Sequence, residues 1–353
     1  MKIGIIGGGQ LGMMMAIEAK KLNHQVYSLD PSKDAPIITY SDLHIVADFT
    51  DYKKVQHLID ITDCVTYEFE NIFEDFIKKN VSKIPQKHIA LEISKYRLNE
   101  KSFARKLGIK TPNYKKVTSL KDLENAFYPS ILKTNSLGYD GKGQYSLSNY
   151  KDALNIKFDK DFILEEKINF DYEISTVLSR DNFGNIVLYP IPINKHVNGI
   201  LFTSTVLTSF DKAITKKAYE YSKRIIEELD YVGTLAVEYF VKGDEIIFNE
   251  IAPRPHNSGH YTIEGTTNSQ FKNHILAITN ESIKNSVLLS NTLMINVLGQ
   301  NTSYYDKAKN IKNAFIHHYN KDENKFNRKI GHITITDLEV NEINSITDKI
   351  TKE

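Results

Sequence analysis

The chain has 353 residues, more than one compact core accommodates, and this length predicts two or three domains. Its hydrophobic content of 41% and charged content of 25% are those of an ordinary soluble protein, and its net charge of +1 argues against nucleic acid or a membrane surface as a partner. Cys64 is the only cysteine, so no internal disulfide can form. The first residues read as a strand rather than a signal peptide, and no apolar run reaches membrane-spanning length, so we expect a cytosolic protein.

Strand and helix patterns alternate at the start of the chain. Strands are predicted at 2–6, 25–29, 45–47 and 63–67, and helices at 10–22 and 52–59. This alternation is typical of parallel strands joined by helices. The sequence therefore predicts a doubly wound parallel sheet.

The run Gly7-x-Gly9-x-x-Gly12 joins the first strand to the first helix. Asp30 lies 18 residues beyond Gly12, close to the spacing of the residue that binds the ribose in dinucleotide sites. The motif alone predicts an NAD-dependent oxidoreductase. A loop that binds a different anion is the alternative.

Farther along, the elements are mixed. A charged helix is predicted over 94–107, with Gly108 as its C-terminal cap. Later strands are predicted at 130–133, 162–166, 173–180, 234–241, 245–251, 293–298, 313–318 and 332–336, with a long helix over 211–229.

Two of these strands predict a hairpin that carries two carboxylates. If Gly243 and Asp244 form a tight turn, antiparallel pairing places Glu238 opposite Glu250 or one register step away. Carboxylates across a ladder repel each other unless something compensates. Because the neighbours are apolar, a divalent cation such as Mg²⁺ would compensate, with Asn249 adding a neutral oxygen. Two exposed glutamates at a sheet edge are the alternative.

Directly after Glu250 comes a loop stiffened by two prolines and crowded with polar side chains, Ile-Ala-Pro-Arg254-Pro-His256-Asn-Ser-Gly-His260. Cationic and donor groups beside a carboxylate pair suit an anionic intermediate. His24, His317 and His318 have no companions at metal-ligand spacing, so we expect them to be structural or surface residues.

Two further features suit phosphate. The glycine-rich loop over 138–143 follows Lys133, and its backbone amides and lysines could hold phosphate groups, although it lacks the P-loop pattern. Lys321, Arg328 and Lys329 form a late basic cluster, which by itself reads as a solvated face.

Taken in order, these pieces resemble the ATP-grasp enzymes, and among them the N5-carboxyaminoimidazole ribonucleotide synthetases of purine biosynthesis. The resemblance runs essentially end to end. It rests on Gly8-Gly-Gln-Leu-Gly12, Thr66-Tyr-Glu-Phe-Glu-Asn71, Gly138-Tyr-Asp-Gly-Lys-Gly-Gln144 and, most specifically, Asn249-Glu-Ile-Ala-Pro-Arg-Pro-His-Asn-Ser-Gly-His260.

The resemblance implies an ATP-grasp architecture and a homodimer. The domains would be a Rossmann-like substrate domain over 1–90, a two-part nucleotide-binding domain over 91–285 and a small C-terminal domain over 286–353. The reaction would consume ATP, bicarbonate and 5-aminoimidazole ribonucleotide and would proceed through carboxyphosphate. No nucleic acid or membrane partner is implied.

The resemblance also implies roles for individual residues. ATP would contact Arg97, Lys133, the loop Gly138, Tyr139, Asp140, Gly141, Lys142, Gly143 and Gln144, the adenine-side hinge Glu165, Glu166, Lys167 and Ile168, and Glu173, His196, Asn249 and Glu250. Glu238 and Glu250 would hold Mg²⁺, with Mn²⁺ as a substitute. Arg254 and His256 would neutralise carboxyphosphate, and Asp140 would accept a proton. The ribonucleotide would contact Gly9, Gln10, Leu11, Glu68, Tyr139, Asp140, Lys321 and Arg328.

The sequence departs from the family pattern at Leu137, where a glycine is expected, and at Phe326-Asn327, where proline and glycine are expected before Arg328. Neither change removes a charged group. Three alternatives stay open: another ATP-grasp ligase with a different acceptor, the NAD-dependent oxidoreductase, and a non-catalytic nucleotide-binding module.

Overall fold

The computed structural model describes residues 1–70, 74–136, 143–321 and 325–352. The N-terminal segment forms a parallel sheet of strand order β3-β2-β1-β4, which confirms the predicted doubly wound arrangement. Its elements are β1 (Lys2–Ile6), α1 (Gln10–Lys21), β2 (Gln25–Asp30), β3 (Leu43–Val46), α2 (Tyr52–Asp60) and β4 (Cys64–Tyr67). The strand order reverses between β1 and β4, and a crevice at such a switch point is where open parallel sheets bind ligands. Gly7 and Glu68 follow these two strands.

Three helices connect this sheet to the rest of the chain, namely α3 (Glu74–Lys79), α4 (Ile89–Ser94) and α5 (Arg97–Lys106). The helix predicted over 94–107 begins only at Arg97, because Tyr96 has an extended backbone with φ −119° and ψ 116°. Asn135 then caps α5: its carbonyl accepts from Arg97 N at 2.9 Å and its Oδ1 accepts from Leu98 N at 3.0 Å. Gly108, with φ 71°, closes the helix as predicted.

A small antiparallel sheet follows, with strand order β5-β8-β6-β7. Its strands are β5 (Tyr114–Val117), β6 (Ser130–Thr134), β7 (Gln144–Leu147) and β8 (Phe162–Glu166). One face is apolar and packs on a core that includes Val117, Leu132 and Leu164, all fully buried. Lys133 lies on the strand next to β8.

A large sheet spans the central and C-terminal segments, with strand order β14-β13-β9-β11-β12-β15-β17-β16 and β10 paired to β9. Its strands are β9 (Tyr172–Arg180), β10 (Ile186–Leu188), β11 (Pro192–Val197), β12 (Ile200–Val206), β13 (Gly233–Lys242), β14 (Glu245–Ala252), β15 (Thr292–Leu298), β16 (Ala314–His318) and β17 (Lys329–Ile335). Because β12 pairs with β15, the sheet is continuous across residue 286, where the sequence places a domain boundary.

The remaining helices are α6 (Lys212–Glu228), α7 (Thr262–Gly265), α8 (Gln270–Ile278), α9 (Ser303–Ala308) and α10 (Ile343–Thr351). Short 3₁₀ turns lie at Pro36–Tyr40, Leu120–Leu123, Tyr150–Ala153, Asn257–Gly259 and Val340–Glu342. In the described ranges, no helix combines the length and apolar character needed to cross a bilayer. Helix α8 packs on both α1 and β13, so it joins the N-terminal sheet to the large sheet.

Candidate active site

The two predicted carboxylates lie on the β13–β14 hairpin. Glu238 pairs directly with Glu250, as the hairpin arithmetic predicts, while Tyr239 pairs with Phe248. The register therefore shifts by one residue, and Asn249 is the extra residue of a β-bulge. Its Nδ2 donates to Glu238 Oε2 at 3.3 Å. The bulge thus gathers two carboxylates and one carboxamide.

The pKa values of these two carboxyl groups are shifted in opposite directions. Burial and then the charge of Glu250 raise the pKa of Glu238 to about 7. Burial also disfavours the charged form of Glu250, but the charge of Arg97 and its 2.9 Å hydrogen bond outweigh this effect and lower the pKa of Glu250 to about 2. Near neutral pH, Glu250 is ionised and Glu238 is close to half protonated.

The residues of the bulge fit a divalent cation. Oδ1 of Asn249 is buried and has no hydrogen-bond partner among the described residues, which costs free energy unless the oxygen is used. Two carboxylates and a carboxamide oxygen are the hard ligands that Mg²⁺ and Mn²⁺ prefer.

Arg254 and His256 follow β14 directly, and they differ in charge. The Arg254 guanidinium pairs with Glu70, with 3.2 Å between Nη2 and Oε1. Burial and then the charge of Arg254 lower the pKa of His256 to about 3, so its imidazole is neutral at pH 7. Its Nδ1 accepts the backbone N–H of Ser258 at 3.3 Å, which places the ring proton on Nε2, 3.5 Å from Glu238 Oε1. His256 can therefore donate a hydrogen bond, whereas the positive charge predicted for both residues belongs to Arg254.

Lys133 lies on β6 with 6% of its surface exposed, and its Nζ donates to Glu165 Oε2 at 3.0 Å. Lys101 Nζ approaches the same oxygen at 3.4 Å. Burial disfavours the charged form of Glu165, but the two lysines outweigh it and lower the pKa of Glu165 to about 2. Glu165, predicted to lie at the adenine-side hinge, thus uses its carboxylate to hold two lysines.

The other predicted hinge residues lie at the end of β8. Glu166 Oε2 accepts from Asn113 Nδ2 at 2.8 Å, Lys167 N donates to the Pro129 carbonyl at 3.1 Å, and Ile168 is half-buried. These contacts fix the backbone path that leaves the small sheet.

Glu173 and His196, both predicted at the nucleotide site, are in contact. They lie on β9 and β11, and the Glu173 carboxylate is hydrogen-bonded to His196 Nδ1. Burial disfavours the charged imidazole, but the Glu173 hydrogen bond and nearby carboxylates outweigh it and raise the pKa of His196. This pair therefore extends the polar cluster from the hairpin toward β11.

Part of the glycine-rich loop lies outside the described residues, namely Gly138, Tyr139, Asp140, Gly141 and Lys142. Gly143 has φ 71°, and its carbonyl accepts from Thr134 N at 2.9 Å. Gln144 begins β7 opposite Lys133. The C-terminal end of the loop thus lies beside Lys133.

The first glycine loop has carboxylates of the same chain against its amides. Glu68 accepts from Gly9 N at 2.6 Å and from Gly12 N at 2.8 Å, and Asp30 accepts from Gly8 N at 2.7 Å. The backbone N–H of Gly9, a residue predicted to contact the ribonucleotide, is thus occupied by the Glu68 carboxylate. Burial raises the pKa of Glu68, although the two amides oppose the shift.

Lys321, which is predicted to contact the ribonucleotide, lies next to this loop. Lys321 Nζ donates to Gln10 Oε1 and lies over the Tyr319 ring, 5.6 Å from its centroid. Leu11, beside Gln10, is buried, so the first turn of α1 is anchored. Arg328 is half-buried, directly before β17. The structure thus brings Gln10 and Lys321 together from opposite ends of the chain.

Comparison with known proteins agrees with this geometry. Family models match successive segments: the ribonucleotide synthetase preATP-grasp domain over residues 1–94, the ATP-grasp domain over 102–271 and the phosphoribosylaminoimidazole carboxylase C-terminal domain over 292–345. An N5-carboxyaminoimidazole ribonucleotide synthase of Staphylococcus aureus (strain COL) is 39% identical over 96% of this chain and 94% of its own length. The chain belongs to the N5-carboxyaminoimidazole ribonucleotide synthase family.

Solved structures of this synthase family share the fold. The S. aureus N5-carboxyaminoimidazole synthetase complexed with ADP is 38% identical, with a TM-score of 0.93 over 99% of this chain and 96% of its own. The Aspergillus clavatus synthase in complex with ADP and 5-aminoimidazole ribonucleotide is 28% identical, with a TM-score of 0.90 over 100% of this chain and 99% of its own. The predicted ATP-grasp fold and ligase class are confirmed, and the oxidoreductase reading of the glycine loop is wrong.

Another cluster in this synthase fold has ligand-type atoms within 4.8 Å of one another, from Glu264, His317 and His332. The rings of His317 and His332 are stacked, with centroids 4.2 Å apart and planes at 6°. A metal ion binds an imidazole nitrogen in the ring plane, and the planes of stacked rings do not converge. His317 Nε2 instead hydrogen-bonds Glu264 Oε1 at 2.8 Å, which agrees with the expected structural role.

Sequence reasoning missed three charged residues of the synthase site, Glu70, Glu100 and Lys101. Glu70 lies within a segment that resembles the family, but its partner Arg254 is far away in sequence. The sequence could have indicated Glu100 and Lys101, because helical spacing places positions 100 and 101 on the same face as Arg97, a predicted site residue. Both side chains are buried, at 2% and 1% exposed.

Proposed function

We propose that this chain catalyses the ATP- and bicarbonate-dependent carboxylation of 5-aminoimidazole ribonucleotide, giving N5-carboxyaminoimidazole ribonucleotide, ADP and phosphate. The observation that carries the proposal is the direct Glu238–Glu250 pair beside Asn249, whose Oδ1 has no hydrogen-bond partner in the described part of the chain, within a member of the synthase family. The A. clavatus relative binds ADP and the ribonucleotide, which supports the same ligands here.

Glu238, Glu250 and Asn249 would hold Mg²⁺ or Mn²⁺. When bound, the cation would supply positive charge to the phosphate oxygens of ATP. Lys133 and Arg97 would contact the phosphates, and the loop over 138–144 would cover them. Residues 165–168 would line the adenine, with Glu173 and His196 near the ribose.

The carboxylation has two stages. A bicarbonate oxygen attacks the γ-phosphorus of ATP, the bond to the β-phosphate oxygen breaks, and ADP leaves, so that carboxyphosphate forms. Carboxyphosphate then splits into carbon dioxide and phosphate, and the ribonucleotide amine attacks the carbon dioxide and loses a proton. A fixed guanidinium and a fixed N–H donor stabilise such an anion in a water-poor site, and Arg254 and His256 provide them. Asp140 would accept the proton.

The ribonucleotide 5′-phosphate would be held by Lys321 and Arg328 together with the Gln10–Leu11 turn. Gln10 and Leu11 begin α1, and the first backbone N–H groups of a helix have no hydrogen-bond partner within the helix. Glu68 would shape this pocket through the loop. The homodimer and the cytosolic location stay predictions.

The deciding experiment measures ADP release from ATP with bicarbonate, in the presence and absence of 5-aminoimidazole ribonucleotide. We expect the ribonucleotide to stimulate release and ribose 5-phosphate, which has the phosphate but no aminoimidazole, to have no effect. If the rate of ADP release is unchanged by the ribonucleotide while another acceptor increases it, the substrate assignment is wrong.

A further inference from the structure

Strand β14, which carries Glu250, is an edge strand of the large sheet, so one side of its backbone lacks a strand partner in the described structure. Buried N–H and C=O groups at a sheet edge need other partners. Helix α5 packs against this edge. Its first turns supply the missing partners around Glu250.

One face of α5 contacts three consecutive residues of β14. Arg97 donates to the Glu250 carboxylate at 2.9 Å. Glu100 Oε1 accepts from Ile251 N at 2.7 Å, and Lys101 Nζ donates to the Asn249 carbonyl. The contacts to backbone atoms thus lie on both sides of Glu250, where the bulge interrupts regular pairing.

Lys101 also reaches the small sheet. Its Nζ lies 3.4 Å from Glu165 Oε2, the oxygen that binds Lys133 at 3.0 Å, and 5.3 Å from the centre of the Phe248 ring. A single buried ammonium therefore links β14 to β8. Through Glu165, it also links the carboxylate pair to Lys133.

Stability alone gives a weak account of this arrangement. The free energy needed to desolvate two buried charges is about as large as the attraction between them. Well-packed apolar residues in the same place often stabilise a protein as well or better. Buried charges that fix one geometry suit a site whose ligands must be held in place.

We propose that Glu100 and Lys101 are positioning residues of the carboxylate pair: they fix the backbone on each side of Glu250 so that its side chain faces Glu238, at a set separation from Lys133. The inference rests on the proposed function, since it takes Glu238 and Glu250 as metal ligands. Neither residue touches ATP, bicarbonate or the ribonucleotide in this scheme.

The test compares Glu100→Met with Glu100→Gln. Gln keeps an acceptor oxygen that can take the place of Glu100 Oε1 at the Ile251 N–H, whereas Met removes that acceptor. Mn²⁺ binding in the presence of ADP is followed by electron paramagnetic resonance, and hydrogen exchange is measured at the Ile251 amide. We expect Glu100→Met to bind Mn²⁺ about tenfold more weakly and to exchange Ile251 N–H faster, whereas Glu100→Gln stays within about twofold of the unaltered protein.

Lys101→Met should also weaken Mn²⁺ binding about tenfold, which provides a second measurement if Glu100→Met does not fold. Glu245→Met is the matched control, because Glu245 lies on the same strand but is exposed and pairs with Lys110 at the surface. Urea unfolding of each variant identifies any general loss of stability.

The outcomes separate this inference from the proposed function. If Glu100→Met and Lys101→Met bind Mn²⁺ as tightly as the unaltered protein, or if Glu100→Gln is as weak as Glu100→Met, the positioning role is overturned while the metal assignment stands. If the unaltered protein binds no Mn²⁺ with ADP, the metal assignment itself is wrong, and this inference falls with it.

Discussion

The switch-point crevice and the β13–β14 hairpin both contain partly buried carboxylates, but their partners differ. In the crevice, the Glu68 carboxylate accepts two backbone N–H groups, so its hydrogen bonds are satisfied within the fold. In the hairpin, Glu250 accepts from Arg97 but is also paired with another carboxylate, and the neighbouring Asn249 Oδ1 has no donor among the described residues. A carboxylate that accepts hydrogen bonds from backbone amides has a structural role, because it holds the loop in place. Carboxylates that face each other instead favour the binding of a cation between them. The hydrogen-bond and charge partners of a partly buried acid, more than its degree of burial, indicate its role.

The largest effect is expected for Glu250→Gln, which keeps the shape of the side chain but removes its charge. Metal-dependent turnover should fall about 10³-fold, equivalent to about 4 kcal/mol, because a ligand and the partner of Arg97 are lost together. Steady-state kinetics measures this loss, and calorimetric titration should show ribonucleotide binding within about twofold of the unaltered protein. Glu245→Gln, an exposed change on the same strand, is the control. Turnover within about tenfold of the control would mean that Glu250 is not a metal ligand.

Glu68→Gln tests the other region. Its amide NH₂ would face one of the two N–H donors that the carboxylate now accepts, and a buried donor without an acceptor costs about 1–3 kcal/mol. Urea unfolding should show this loss of stability, while Mn²⁺ affinity in the presence of ADP stays unchanged. Asp34→Asn, an exposed change in the same segment, is the control. A variant as stable as this control, or one with weakened Mn²⁺ binding, would erase the contrast between the two regions.

The difference between the hairpin and the crevice also explains which features could be predicted from the sequence. The hairpin was predictable because a turn at Gly243 fixes pairing by local arithmetic, and the observed pairing places Glu238 opposite Glu250. Glu68 meets Gly9 and Gly12 across 59 and 56 residues, so no local pattern could reveal what occupies the glycine loop. The motif predicted the strand–loop–helix correctly and the cofactor incorrectly.

Other misses have similar causes. The β11–β12 hairpin was not predicted, because polar residues such as Asn194 and Lys195 interrupt its apolar alternation, and its pairing with β9 and β15 is tertiary. The start of α5 was misplaced because Asn135, on a distant segment, caps it. The sequence predicts a charged helix here but does not indicate which face is buried, and Glu100 and Lys101 are buried against β14.

The pH dependence of metal binding tests the hairpin more finely. The pKa of Glu238 is raised to about 7, so its proton competes with a cation below that pH. Mn²⁺ affinity in the presence of ADP should be about tenfold lower at pH 6 than its plateau above pH 8, since about one carboxyl in eleven is ionised at pH 6. The folding stability of the metal-free protein should change with pH in the opposite direction. Because the pKa of Glu238 is raised by folding, its proton stabilises the folded state fully below the ordinary glutamate pKa near 4.5, and this contribution is lost as the pH rises through 7. Glu250, with its pKa near 2, stays ionised throughout this range.

Two variants identify the group whose protonation causes the pH dependence of Mn²⁺ binding. Glu238→Gln should bind Mn²⁺ weakly and with little dependence on pH, because the competing carboxyl is gone. His196, whose pKa is raised, also faces this cluster, so His196→Gln separates its proton from that of Glu238. His256 stays neutral across the range, because its pKa is lowered to about 3. An affinity that is flat from pH 6 to 8 in the unaltered protein would show that Glu238 is ionised without help from a cation, and the hairpin would then resemble the satisfied carboxylate of the crevice.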